Sequence, residues 1–350
     1  MSARVLFLTH PELDHLEYHI FDGLCRVLGD ENIITYPFKK IYYGEVADDY
    51  ILDTGDRGYT APPEYILPRK PIHLDLDEII ANIDDFDFVI SSPRTYARKA
   101  LKVLRPHITQ PLALLDGEDG DGILWNFVNE FKPDIYFKRE YLRDNESMYL
   151  MLDIPVVPCP FAAVDNTAPK IDDTQKEYSV FSVHGNTHKM REEVTKLLLE
   201  MNIPKSYIWI NADFYFSKFN PYTEEERERI TRLGYYEYLE MIAKSKIGVS
   251  VRGWGRDTLR RFEIPLYETL LFTHDIGIET PHPFVDGKTC VMFKNDLSDL
   301  KEKLEYYLKD ENERIRIARE GHKHLLKYHT TEKRAEYLLK MIRIYLDIDI

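Results

Sequence analysis

The strongest constraint on the fold is an unbroken apolar run followed by a helical period and then a second apolar run. Arg4–Thr9 (RVLFLT) lacks the alternation of a strand with one wet face and suits a strand covered on both faces of a parallel sheet. Leu16, Ile20, Leu24 and Val27 then recur at helical spacing, Gly29 supplies a stop signal, and Asn32–Tyr36 (NIITY) reads as the next strand. Strand, helix and strand in that order is a βαβ unit, whose crossover makes the two strands parallel. The pattern continues through the strands Asp87–Ser91 (DFVIS) and Pro111–Asp116 (PLALLD), with a helix between them carrying Arg94, Arg98 and Lys102. Asp134–Phe137 (DIYF) reads as the last strand of this half. Residues 37–75 are rich in Tyr, Pro, Asp and Gly and have no period, so they are expected to be a long functional loop.

The alternation stops over residues 160–177, which are polar and contain proline, and then starts again. Tyr178–Val183, Tyr207–Asn211, Ile247–Val251, Leu270–Thr273 and Val291–Phe293 read as strands. The helices between them carry Val194, Leu197, Leu198 and Met201, then residues 235–245 and 257–268. Leu297, Leu300, Leu304 and Leu308 line a further helix, and another covers about 311–327. A chain of 350 residues also exceeds what one core usually holds. The expectation is an α/β fold of two Rossmann-like domains facing each other across a cleft. They would comprise residues 1–165, a linker at 166–177, a second domain at 178–330, and a terminal helix at 331–350 packing back toward the first. Open parallel sheets bind ligands beyond the carboxyl ends of their strands, so the cleft is the expected site.

Composition removes several function classes. A formal charge of −14 argues against nucleic acid or an anionic membrane as the main partner, because both select basic surfaces. Cys25, Cys159 and Cys290 have no zinc-like spacing, and three buried thiols suit a reducing compartment. No apolar run approaches the roughly 18 residues needed to span a bilayer, and the first residues are too quickly polar for a signal peptide. A cytoplasmic location is therefore expected.

Three segments hold chemistry-bearing residues. The loop His184-Gly185-Asn186-Thr187-His188 follows a strand and leads into a helix with Arg191. Its glycine allows close backbone approach, the helix start offers N–H groups, and Arg191 adds charge for a diphosphate. An ordinary βα loop with a surface arginine is an equal reading. Four arginines, Arg252, Arg256, Arg260 and Arg261, fall within ten residues of an otherwise acidic chain, with Gly253 and Gly255 around Trp254. Anion binding explains the set better than a solvated helix face. Glu263 has two oxygens that can accept from ribose hydroxyls, although a carboxylate placed by the helix dipole explains it as well.

The segment from about Tyr235 to Leu339 resembles the C-terminal domain of CgeB-like, group 1 glycosyltransferases. The likeness rests on an ordered series: Ser245-Lys246-Ile247, Arg261-Phe262-Glu263, Leu270-Leu271-Phe272-Thr273, Phe284-Val285-Asp286-Gly287-Lys288, the helix DLSDLKEKLEYYL, Arg314 with Ile317-Ala318 and Gly321, and His329-Thr330 with Arg334-Ala335. The upstream VHGNTHKMREEV is similar to the same family, and the SKIGV and RRFE segments are weakly similar to exostosin-type transferases. The resemblance implies a GT-B transferase whose C-terminal domain binds a nucleoside-diphosphate sugar. Glu263 would hold the ribose, and Gly185, Arg191, Arg252, Arg256 and Arg261 would surround the donor. No metal, flavin or nicotinamide is implied. The chain departs from the family at Gly255, where many relatives carry a glutamate eight residues before the one at Glu263, and at Pro265 and Tyr267-Glu268.

The N-terminal half would hold the acceptor. Asp116-Gly117-Glu118-Asp119-Gly120-Asp121 directly follows a strand and offers a general base, with Asp116 and Asp119 first, or carboxylates for a divalent ion, or merely a solvated acidic turn. His10 or His15 is the alternative base, a structural histidine being the plainer reading. Lys138 and Arg139 reach toward an anionic acceptor or simply end a strand. The expected activity is glycosyl transfer from a nucleotide sugar to an acceptor hydroxyl. The alternatives are a non-catalytic glycan- or nucleotide-binding protein and a sugar-nucleotide epimerase.

Overall fold

The computed structural model describes residues 2–10, 14–43, 69–70, 72–165, 176–211, 219–223 and 233–348. Most of the aperiodic 37–75 segment, and residues 166–175 of the linker, lie outside the described residues.

Six parallel strands form the first sheet: β1 (Val5–Leu8), β2 (Ile33–Tyr36), β3 (Phe88–Ser91), β4 (Leu112–Asp116), β5 (Ile135–Lys138) and β6 (Val156–Pro158), in the order β2-β1-β3-β4-β5-β6. Five parallel strands form the second: β7 (Tyr178–Gly185), β8 (Tyr207–Asn211), β9 (Ser245–Val249), β10 (Leu270–His274) and β11 (Val291–Phe293), in the order β11-β10-β9-β7-β8. Alternate residues of the first sheet go to different cores. Val5, Phe7, Phe88 and Ile90 join one cluster, while Leu6, Leu8 and Val89 join another. Both faces are covered, which is why these strands read as continuous apolar runs rather than alternating ones. Each such side chain contributes about 1.5–3 kcal/mol on burial.

β6 was not foreseen. It has three residues, follows Pro155 and ends on Pro158, and is held at the edge by its pairing with β5. Part of the expected loop is also regular: Lys40–Tyr43 forms a 3₁₀ turn that buries Tyr42 and Tyr43 in the first core. β7 runs two residues past Val183, so His184 and Gly185 end the strand instead of opening a loop.

The helix α1 (His15–Leu28) follows β1, capped by the Asp14 carboxylate, which accepts from the Glu17 amide. The terminal helix, Thr331–Leu346, lies against α1 so closely that a Cβ on Gly23 would fall 2.1 Å from the Thr331 carbonyl oxygen. Arg26 bridges the two helices through Asp165 (2.7 Å) and Glu332 (2.7 Å). The last helix thus packs on the first sheet's layer although it follows the second domain in sequence. In both sheets the strand order reverses beside the first strand, between β1 and β3 and between β7 and β9. Loops leaving adjacent strands at such a point diverge to opposite faces and open a crevice.

Candidate active site

A cavity of about 360 Å³ lies where the carboxyl ends of the two sheets meet. His15, Asp119, Arg139 and Phe161 line it from the first domain, each just beyond a strand end. Gly185, Thr187, Arg191, Tyr238, the 253–255 and 257–259 stretch, Arg260 and Glu263 line it from the second.

Arg191 is buried in the helix that follows β7, Lys189–Glu200. Its Nε donates to the Arg252 carbonyl (2.9 Å), and its Nη1 to the Gly185 carbonyl (3.0 Å) and the Thr187 hydroxyl (2.8 Å). The guanidinium therefore pins the loop after β9 to the loop after β7. A Cβ on Gly253 would meet Arg191 Nη2 at 2.7 Å, so this close approach requires glycine.

Glu263 and Arg260 share one face of a short helix, Arg260–Leu266, three residues apart. The Tyr238 hydroxyl, from the helix Tyr235–Ala243, donates to Glu263 Oε2 (2.8 Å) and accepts from Arg260 Nε (3.1 Å). Burial raises the Glu263 carboxyl above its ordinary range, against the lowering effects of Tyr238 and Arg260. Arg260 Nη1 also donates to His184 Nδ1 (3.1 Å). Arginine only donates, so that imidazole is neutral with its proton on Nε2, directed to Ser182 Oγ (2.8 Å). Burial, then Arg260 and Arg191, holds His184 well below the usual histidine range.

The opposite wall is centred on His15, the first residue of α1. Burial lowers its pKa, Asp14 opposes this, and Arg139 and Lys39 lower it further, so the imidazole is neutral near pH 7. Arg139 and Glu140, beyond β5, lock the two walls together. Glu140 accepts from the amides of Arg256 (3.0 and 2.8 Å) and Asp257 (2.9 Å). Arg139 pairs with Asp119 and with Glu140 (3.2 Å), and Asp257 Oδ2 accepts from the Phe161 amide (2.7 Å).

The candidate residues separate accordingly. Gly185, Arg191, Glu263 and Asp119 line the cavity, whereas Asp116, His10, Arg252, Arg256 and Arg261 do not. Asp116 is buried beneath the cavity, bonded to Tyr136 (2.5 Å) and Lys138 (3.0 Å). The acidic run does not act as a unit, because Glu118 turns to Arg94, Asp119 to Arg139 and Asp121 to Asn145. The His10 ring packs edge-on against Tyr96. Arg252 bonds the Trp254 carbonyl (3.4 Å) and Arg256 the Ile276 carbonyl (3.2 Å). Arg261 is one helical step from Arg260, about 100° round, and is buried toward Phe284 instead. Arg260 takes the place given to Arg261, and its i,i+3 spacing to Glu263 was a usable signal. Tyr238 had no local signal, since its contact with Glu263 spans 25 residues.

The departures from the family pattern have physical causes. A Cβ at Gly255 would lie 2.3 Å from Asp119 Oδ1 and 2.9 Å from Glu140 Oε1, so first-domain carboxylates already occupy the space a glutamate would need. Pro265 is buried in the short helix, its carbonyl accepting from His322 (3.0 Å), and the helix ends at Tyr267-Glu268 with Glu268 at φ 49°.

Buried neutral histidines predict acid sensitivity. His19, His184, His274 and His329 are all held below their ordinary range, chiefly by burial, and His274 is pushed down to about 4. Below about pH 6.5 the unfolded chain takes up protons that the folded chain refuses, so stability falls by about 1.4 kcal/mol per pH unit for each histidine. Glu17, raised to about 7, Asp257, raised to about 6, and Glu263 act in the opposite sense, because the folded chain binds their protons first. Urea midpoints should fall from pH 6.5 to 5, and His274→Gln should flatten the decline. An identical slope in the variant contradicts this account.

Such a pair of parallel sheets, with cations and a carboxylate on one wall of the crevice and a buried histidine on the other, has the GT-B architecture. Residues 176–340 match a family described as glycosyl transferase-like. The matched segment contains Arg191, Arg260 and Glu263. Among solved structures it is similar to HepE of Anabaena in complex with UDP-glucose, at 10% identity over 97% of this chain and 99% of that one, with a TM-score of 0.60. Sucrose-phosphate synthase of Thermosynechococcus elongatus aligns at 10% identity over 99% of each chain, with a TM-score of 0.58. A putative UDP-N-acetylglucosamine 2-epimerase of Listeria monocytogenes aligns at 13% identity over 100% of this chain and 98% of that one, with a TM-score of 0.52. At these identities the likeness establishes the fold. No match is found among curated protein sequences. Among the described residues, no helix is long and apolar enough to cross a membrane.

Proposed function

We propose that the enzyme transfers a glycosyl group from a uridine-diphosphate sugar, held by the second domain, to an acceptor hydroxyl presented at His15. The observation that carries this reading is the cavity itself, in which Arg191, Arg260 and Glu263 face His15 across a single crevice. The UDP-glucose bound to HepE supports the choice of nucleotide. Glu263 accepts from the ribose hydroxyls, its second oxygen being held by Tyr238. Arg191 and Arg260, which line the cavity beside the Gly185–Thr187 loop, supply charge for the diphosphate.

In the transfer, the acceptor oxygen forms a bond to the anomeric carbon as that carbon's bond to the diphosphate breaks. The electron pair leaves with the diphosphate and is stabilised by the guanidinium groups. His15 Nδ1 or Nε2 takes the acceptor's proton, for which a neutral imidazole is required. The clamped interface between the domains excludes water that would otherwise hydrolyse the donor.

Glu263→Ala should weaken UDP binding about 10- to 100-fold, the scale of hydrogen bonds to a charged group. Calorimetric titration of a variant with unchanged circular dichroism measures this. Equal affinity in a folded variant removes Glu263 from the donor site. An epimerase would turn over the donor without any acceptor, and a non-catalytic binder would release no UDP at all.

A further inference from the structure

Trp254 has no structural role that accounts for its position. Its side chain is 62% exposed, yet it lines the cavity between the domains. Among the described residues no ring stacks on it, whereas Trp209 stacks on Tyr222 at 4.5 Å. A tryptophan left in water forgoes one of the largest apolar burials available to any side chain.

The backbone beneath it is held unusually firmly. Arg191 fixes the Val251 and Arg252 carbonyls on one side, and the Gly253 amide closes onto the Gly255 carbonyl (2.9 Å). On the other side Glu140 of the first domain holds the Arg256 and Asp257 amides. Neither flanking glycine could carry a Cβ without meeting Arg191 or Asp119. The indole is therefore presented on a rigid loop at the junction of the two walls.

We propose that Trp254 is the platform on which the acceptor's sugar ring stacks, so that the acceptor is itself a carbohydrate. This rests on the transferase reading above. The C–H face of a pyranose is apolar and weakly electropositive, and it complements the negative face of an indole. Its edge hydroxyls need acceptors, and Asp119, half-exposed and paired with Arg139, stands beside the loop. The acceptor is favoured over the donor sugar by exposure. The transferring sugar must be shielded from water, whereas the Trp254 ring stands at the mouth, next to the first-domain carboxylates.

The test uses the full chain with Trp125→Phe and Trp209→Phe, leaving Trp254 as the sole tryptophan. With UDP saturating, the protein is titrated with the methyl glycosides of glucose, galactose, mannose and N-acetylglucosamine. At least one should blue-shift and saturably quench the emission. In the otherwise native chain, Trp254→Ala should weaken that glycoside's binding about tenfold and Trp254→Phe distinctly less, with UDP affinity within twofold in both. An emission change with UDP-glucose but with none of the glycosides makes Trp254 a donor contact and overturns the proposal. Silence with all four glycosides overturns it too. Calorimetry with UDP alone reports separately on the donor site, so a failure of the transferase reading is recognised independently.

Discussion

His15→Ala is expected to lower kcat by 100- to 10,000-fold while leaving UDP affinity unchanged, the range in which a positioned general base contributes. The residue opens α1 with the Asp14 cap beside it, which fixes its direction into the cavity. Its pKa is lowered first by burial and then by Arg139 and Lys39, with Asp14 opposing. The catalytic form is the neutral one, so the acid limb of the kcat/KM profile should lie below about pH 6.5. In His15→Gln, which keeps a polar group but cannot take the proton, that limb should vanish. A residue that merely positions the acceptor would lose rate with the acid limb preserved, and such a profile would reject the assignment. This role was open between His10 and His15 in the sequence, behind Asp116 and Asp119. We assign it to His15, because Asp116 is committed to Tyr136 and Lys138 and Asp119 to Arg139.

Glu140→Ala should cost about 3–5 kcal/mol, the scale for breaking a buried charged network on one side. The carboxylate is 2% exposed and accepts from two backbone amides of the opposite domain. Removing it leaves the Arg256 and Asp257 N–H groups unsatisfied and deprives Arg139 of one counter-charge. Because these contacts join the domains, the loss should split a single urea transition into two, with transferase activity falling in parallel. Glu140→Gln, which keeps one acceptor oxygen, should do less damage. An unaltered, single unfolding transition in Glu140→Ala would show that the interface draws its strength from elsewhere.

The architecture was legible because it is written in local periodicity. Buried parallel strands must be apolar on both faces and crossover helices on one, so RVLFLT, DFVIS, PLALLD and YSVFSV announce themselves without any knowledge of their partners. β6 was not legible, because a three-residue VVP segment after Pro155 carries no period and becomes a strand only by pairing with β5. In the site, Arg191, Gly185 and Glu263 were readable because each sits at a fixed offset from a strand end or helix start. Arg261 was named through the Arg261-Phe262-Glu263 resemblance, whereas the three-residue helical step from Glu263 points to Arg260, which lines the cavity.

The sequence by itself determined two parallel α/β layers and a crevice at their carboxyl edges, with a glutamate and arginines close to it. These depend on residues within a few positions of one another. Only the tertiary structure decided which acids and bases face that crevice, since Glu140 acts on residues more than a hundred positions away and Tyr238 on one 25 away. The physical reason is that hydrogen-bond and charge partners are chosen by proximity in space. Periodicity fixes which side of an element a residue occupies, and packing between the domains fixes what it meets there.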